Sequence, residues 1–320
     1  GARLTTLNAA DFAGTALTVT AGSGTSAATD LVGVTITGPS AATTTATITA
    51  GANKDTITLG AGTNIVVAGA GNDSITSGAG TNTITSGAGN DAITLAGGTD
   101  TLRYAATGAA NADTVDGLTS STVLAFNLGT AAVTGSALAN PGTFGTVQTG
   151  GTSPVLSNVG GAGTGTAIVF QAITPNATAT AGTVAAGSNV LGLNGAFTDG
   201  TAAGVFTALG TTASTGIATT ATGKFLLATY SVGNIAQIWS YAGDTTLDTN
   251  ITAAELSLVA TLTGVAQNSL TASNFASYLT PTVTTATVAN TGQTVTLTGT
   301  LNTVQAAANA AGQFLTAAND

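Results

Sequence analysis

Between Gly51 and Tyr104 the chain repeats itself every nine residues: GANKDTITL, GAGTNIVVA, GAGNDSITS, GAGTNTITS, GAGNDAITL, AGGTDTLRY. Each block opens on small residues, carries Asp or Asn at its fifth place and a large aliphatic residue at its seventh. The fifth places hold Asp55, Asn64, Asp73, Asn82, Asp91 and Asp100; the seventh hold Ile57, Val66, Ile75, Ile84, Ile93 and Leu102. A unit this short cannot enclose its own apolar residue, so such units reach stability by stacking on one another. The question the array poses is why Asp recurs in one slot and Asn replaces it in every second block until the last.

The rest of the composition sharpens that question, because the chain is nearly uncharged. Only 5% of its 320 residues are charged, against about 25% in an ordinary soluble protein. Four basic residues (Arg3, Lys54, Arg103, Lys224) face thirteen acidic ones, and there is no His, Cys or Met. Abundant Thr, Val and Ile favour strands over helices. Weak charge repulsion suits a protein that packs against copies of itself. Without basic clusters, phosphate backbones have nothing to bind, which excludes a nucleic-acid partner. No run approaches eighteen apolar residues, so no membrane-spanning helix is expected. Lacking His, Cys and Met, the chain has no soft ligands for zinc, copper or haem, and any metal must be a hard cation held by oxygen. The opening GARLTTLNAADF has neither an initiator Met nor a signal peptide's basic and apolar regions. It reads as part of something larger or as a protein exported without an N-terminal signal.

Four segments are expected along the chain. Residues 1–45 carry alternating runs such as LTVT and VGVTIT, separated by Gly/Ser clusters, and read as strands. Residues 46–118 contain the array, closed by a segment that keeps Asp100, Asp113 and Asp116 but loses the period, as a cap would. Residues 119–285 read as short strands (VLAFNL, AIVFQAI, NVLGL), then two better-defined strands around a turn at Val232–Gly233–Asn234. Residues 286–320 suggest a hairpin around Asn290–Thr291–Gly292 and a helix with Val304, Ala308, Ala311 and Leu315 on one face. The expected fold class is therefore mostly β, with a minor helix near the C-terminus.

The nonapeptide resembles the RTX calcium-binding repeat, G-G-x-G-x-D-x-U-x with U a large aliphatic residue. In the block Ala68–Thr76 every signature position matches except the first Gly, which is Ala68. The resemblance implies a parallel β-roll, flanked here by sandwich-like or solenoid β-domains. It implies six residues of turn and three of strand per repeat, two repeats per circuit, U residues inside, and Ca2+ between stacked turns. The implied ligands are Asp carboxylates and turn carbonyls: Asp55, Asp73, Asp91, Gly69, Gly71, Gly87 and Gly89. With eighteen residues per circuit, Asp55, Asp73 and Asp91 fall on one edge and Asn64, Asn82 and Asp100 on the other. Stacked strands lie about 4.8 Å apart, where two carboxylates repel by about 1 kcal/mol in water and more near a protein surface. A bridging cation reverses that sign. The Asn edge can instead form an ion-free amide ladder, with only Asp100 offering a carboxylate there.

A second acidic cluster, Asp244 to Glu255, reads DTTLDTNITAAE. Against the EF-hand loop it places Asp244, Asp248, Asn250 and Glu255 at ligand positions, while Thr246 and Thr249 replace a ligand and the turn Gly. It is a degenerate EF-hand-like loop, and the alternative is a polar loop in which Asp244 caps a turn. The surrounding residues 223–279 resemble a segment of RTX-bearing bacterial S-layer and related surface proteins.

Nothing in the sequence assembles a catalytic group. His and Cys are missing, the acids are mostly committed to the repeats, and GAGT and GAGN lack the remaining residues of a phosphate-binding loop. The reading is a non-enzymatic, calcium-stabilised protein, secreted to the cell surface by type I export and assembling with itself into an S-layer or similar lattice. The alternatives are an adhesin with a β-roll spacer and a filament subunit. Expected partners are copies of itself and cell-surface polysaccharide or lipopolysaccharide.

Overall fold

The computed structural model describes residues 5–21, 32–104, 111–127, 199–209, 224–242 and 253–278, with short strands at 146–148, 155–157, 170–173, 190–193, 218–219, 286–288 and 304–306. The chain divides into two units, Gly1–Tyr278 and Leu279–Asp320.

The first unit is built on a two-sheet parallel solenoid. Its strands come in successive pairs, one to each sheet: β1 (Thr6–Asn8) and β2 (Ala16–Thr20), β3 (Val32–Thr37) and β4 (Thr45–Ala52), β5 (Lys54–Thr58) and β6 (Thr63–Ala70), β7 (Ser74–Thr76) and β8 (Thr81–Ala88), β9 (Ala92–Thr94) and β10 (Thr99–Tyr104), β11 (Asp113–Asp116) and β12 (Val123–Asn127). Odd-numbered strands stack in one sheet and even-numbered strands in the other. The register pairs Thr63 with Thr81 and Ser74 with Ala92, so one circuit consumes eighteen residues. The fold is thus the parallel β-roll that the repeat implies.

Alternation along each strand decides what goes inside. Side chains two apart on a strand share a face, so the inward Ile57, Ile75 and Ile93 of one sheet meet Val66, Ile84 and Leu102 of the other. All six are at most 2% exposed. The same rule turns the fifth-place Asp and Asn inward, because each sits two residues before an aliphatic. Burial of the acids is therefore a consequence of the pleat.

Strand lengths depart from the implied six-plus-three division. On the Asp side β7 and β9 have three residues, but β4, β6 and β8 have eight. Those long strands are rich in Thr, Ile and Val, and Asn64 and Asn82 lie within them, so the ladder runs on through residues that the repeat assigns to a turn.

The solenoid also extends beyond the array in both directions. Residues before 51 supply β1 to β3 and all but the last two residues of β4. The aperiodic segment after Asp100, which reads as a cap, instead supplies a further circuit, β11 and β12, stacked on β9 and β10. Then follow β13 (Thr146–Gln148), β14 (Val155–Ser157), β15 (Phe170–Ile173), β16 (Val190–Leu193), α1 (Ala202–Leu209), β17 (Ala218–Thr219), β18 (Lys224–Ser231) and β19 (Ile235–Ala242). The chain then returns to the roll. β20 (Leu256–Thr263) pairs in parallel with β11, and β21 (Phe275–Tyr278) pairs in parallel with β12, adding another circuit. Residues 128–255 are therefore an excursion between two stacked circuits.

Part of that excursion widens the first sheet, whose order continues β11-β20-β19-β18-β16-β15. β18 and β19 form the hairpin expected around Val232–Gly233–Asn234, where Gly233 and Asn234 take positive φ. Trp239 donates from Nε1 to Thr229 Oγ1 at 2.9 Å, giving the chain's one Trp a buried polar partner.

In the second unit β22 (Ala286–Val288) and β23 (Val304–Ala306) pair in parallel. This differs from the sequence expectation of a helix starting near Val304; β-branched Thr287, Val288 and Val304 favour pairing over the Ala-rich helical spacing. Asn290–Thr291–Gly292, Ala308, Ala311 and Leu315 lie outside the described residues. The described α-helix is α1, far from the C-terminus.

Candidate metal centre

The roll sets its two edges apart chemically. On one, Asp55, Asp73 and Asp91 form a ladder in which each carboxylate accepts from the backbone of the circuit before it. Asp73 Oδ1 accepts from the Asp55 N–H at 2.7 Å and Asp91 Oδ1 from the Asp73 N–H at 2.7 Å. Asp55 Oδ1 accepts from the Val34 N–H at 2.6 Å. At that end the next slot belongs to Gly33, where a Cβ would lie 1.9 Å from Asp55 Oδ1; glycine is what leaves room for the carboxylate. At the other end Asp113 joins the ladder, its Oδ1 accepting from the Asp91 N–H at 3.1 Å.

Each carboxylate has a second oxygen to satisfy. The Oδ2 atoms of Asp73 and Asp91 are buried and receive no hydrogen bond. A buried carboxylate oxygen without a donor is costly unless it is protonated or bound by a cation. Burial, with smaller contributions from Asp91 and Asp55, pushes the Asp73 carboxyl up to about 7, against the pull of the Asp55 N–H. Burial likewise raises Asp91 above the ordinary carboxylate range.

The turns leading into the ladder are shaped by glycine. Gly69, Gly71, Gly87 and Gly89 all have positive φ, and a Cβ at Gly87 would fall 1.8 Å from the Gly69 carbonyl oxygen. Gly69 and Gly87 lie within β6 and β8, so that close approach belongs to the sheet ladder, while Gly71 and Gly89 lie in the turns just beyond and are the ones placed to offer turn carbonyls. Just outside, Asn72 Oδ1 accepts from the Asn90 N–H at 2.9 Å and Asn90 Oδ1 from the Ala112 N–H at 3.1 Å. This second ladder fixes the turn spacing. It was legible in principle from the Asn preceding Asp73 and Asp91, and from the NAD at Asn111–Asp113.

On the opposite edge amides do the work. Asn64 Nδ2 donates to Asn82 Oδ1 at 2.8 Å, and Asn82 Nδ2 donates to Asp100 Oδ1 at 2.7 Å. The same nitrogens donate to the carbonyls of Gly60 and Gly78 at 3.0 Å. This is the amide ladder expected of stacked Asn. Asp100 lies here, separate from the other acids; burial raises it, opposed by the hydrogen bonds from Asn82 and Ser77.

Replacing Asn82 by Asp should expose this difference. The change removes both Nδ2 donations and sets a carboxylate against Asp100 and the Gly78 carbonyl. In calcium-free buffer near neutrality Asn82→Asp is expected to cost about 3 kcal/mol, partly restored by millimolar calcium. Denaturant melts of the two proteins check this; equal midpoints would show that the amide is dispensable.

Of the second predicted cluster only Glu255 lies among the described residues. Asp244, Asp248 and Asn250 lie outside the described residues. Glu255 is buried in the short 3-10 turn Ala253–Glu255 that precedes β20.

Residues 45–75 and 67–102 match the family profile described as the RTX calcium-binding nonapeptide repeat. The array is an RTX repeat. RTX nonapeptides bind Ca2+, and the orphaned oxygens of Asp73 and Asp91 fit that ion. No curated protein and no solved structure matches the chain.

Among the described residues no three acids converge on one point. An ion on the RTX edge would therefore hold at most a pair of carboxylates, Asp55 with Asp73 or Asp73 with Asp91. Turn carbonyls and water would complete the six to eight oxygens that calcium prefers. The Asn edge, with its oxygens already engaged by amides, offers no comparable vacancy of donors.

Proposed function

We propose that the protein is a non-catalytic, calcium-stabilised structural component of a bacterial cell surface, exported by type I secretion and assembled with copies of itself into an S-layer or similar lattice. The observation that carries this reading is the buried Asp ladder with donor-less oxygens. Two carboxylates per ion give a weak site, of the kind that fills at the roughly millimolar calcium outside cells rather than at cytosolic levels. Inside the cell the ladder stays unneutralised and the roll is loosened for export; outside, calcium draws the circuits into register.

The remainder of the molecule supports a building-block role. The solenoid runs as continuous sheets from β1 to β21, and a chain only 5% charged offers little repulsion between copies. RTX repeats occur in secreted proteins, and among the described residues no helix is long and apolar enough to cross a membrane.

Electron microscopy of the purified protein, with and without millimolar calcium, tests the assembly. Calcium-dependent sheets are expected. Filaments would replace the lattice by a linear assembly, and dispersed particles that bind cells or glycans would favour an adhesin.

A further inference from the structure

The Asp ladder does not end where the nonapeptides do. Asp91 lies 18 residues beyond Asp73, but the next member, Asp113, lies 22 beyond Asp91. The four additional residues are accommodated between circuits, and Asp113 still enters the same inward slot, since Thr114 pairs with Ala92. Asp113 is 2% exposed and lies outside the matched repeat.

What faces the ladder changes at the same place. Reading the register through β4, β6, β8, β10 and β12, one inward slot is filled by Ala50, Ala68, Ser86, Tyr104 and Phe126 in turn. Ala50 and Ala68 precede Asp55 and Asp73 in their circuits, whereas Ser86 and Tyr104 precede Asp91 and Asp113. Hydroxyls therefore enter the slot only beside the last two acids. Ser86 Oγ donates to Asp113 Oδ2 at 2.7 Å. Tyr104 is 3% exposed and its hydroxyl has no hydrogen-bond partner. Its ring is fixed by stacking on Phe126, centroids 5.4 Å apart. The register sets Tyr104 next to Ser86, whose Oγ reaches Asp113, so the ring enters from the same side of the ladder.

We propose that Asp91 and Asp113, with the hydroxyls of Ser86 and Tyr104, form a further site for a hard divalent cation of the calcium class, one circuit beyond the repeats. The proposal rests on the calcium reading of the Asp edge. Two carboxylates one circuit apart, the donor-less Asp91 Oδ2 and the unpartnered Tyr104 hydroxyl supply an all-oxygen set that suits such an ion. The site would tie the last nonapeptide to the following circuit, and through β11 to β20. It would thus fasten the array to the chain that returns after residue 255.

Two measurements on the intact protein test it. Calorimetric titration with Ca2+ should show one fewer bound ion in Asp113→Asn than in the unmodified protein. The isosteric amide keeps an acceptor for the Asp91 N–H, and its Nδ2 can donate to Ser86 Oγ in place of the bond that Asp113 Oδ2 accepts. Terbium, bound in place of calcium, should show tyrosine-sensitised luminescence that calcium displaces, and Tyr104→Phe should lose most of it while melting as before in metal-free buffer. Equal calcium counts in Asp113→Asn, or undiminished terbium emission in Tyr104→Phe, would overturn the additional site and leave the repeat sites standing. An unmodified protein that takes up no calcium would overturn the underlying reading as well.

Discussion

Removing calcium from the purified protein at pH 7 is expected to lower its melting temperature by about 10–20 °C. Calcium bound to the folded roll alone stabilises by mass action, about 2.7 kcal/mol per site at a hundred times the dissociation constant. Two bridges of the proposed kind, Asp55 to Asp73 and Asp73 to Asp91, would therefore contribute about 5 kcal/mol. For a domain of this size each kcal/mol moves the midpoint by about 2–4 °C. Scanning calorimetry in millimolar calcium and in metal-free buffer reads the difference directly. Asp73 belongs to both bridges, so Asp73→Asn should abolish most of the calcium response. In metal-free buffer the same variant should melt no lower than the unmodified protein, because its amide still accepts from the Asp55 N–H and needs no neutralisation. Coincident melts of the unmodified protein in the two buffers would remove calcium from the account of its stability.

The separation of an Asp edge from an Asn edge was legible in the sequence. Eighteen residues per circuit, combined with Asp at 55, 73 and 91 and Asn at 64 and 82, separates the two edges from the residue pattern alone. The hydrogen bonds from Asn64 to Asn82 and from Asp55 to Asp73 follow those lines. The extent of the solenoid was hidden, for a physical reason. Once an inward side chain and a backbone ladder hold a circuit in place, the loop between circuits can vary in length at small entropic cost. Asp55 follows Gly33 by 22 residues and Asp113 follows Asp91 by 22, so a nine-residue ruler loses both ends. The pairing of β20 with β11 spans far more of the chain than any local pattern covers. Tyr104 stands at the ninth place of the last block, a place to which the repeat assigns no role. In the fold it sits one circuit beyond Ser86 in the same inward slot, its hydroxyl buried without a partner.

In metal-free buffer the roll should lose stability as the pH climbs from about 4 to about 8, the reverse of the usual behaviour of paired carboxylates. Burial and the charge of Asp91 push the Asp113 carboxyl up to about 8, and burial pushes Asp73 up to about 7. In the unfolded chain both titrate near the ordinary value of about 3.9. Between those limits the folded state binds protons that the unfolded state has released, so stability falls by about 1.4 kcal/mol per pH unit for each such group. Below pH 4 both states are protonated and the penalty vanishes; above pH 8 both are ionised and it is constant. Calcium needs the ionised carboxylates, so its binding strengthens as protons leave. The calcium-bound protein should therefore hold its stability across the window in which the metal-free protein weakens. Denaturant midpoints at pH 5, 6, 7 and 8, with and without calcium, would trace two curves that diverge toward neutrality. A metal-free protein that gained stability from pH 5 to 7 would show the ladder already ionised and satisfied without the ion. Calcium would then be a passenger on the roll and could not act as the switch that closes it outside the cell.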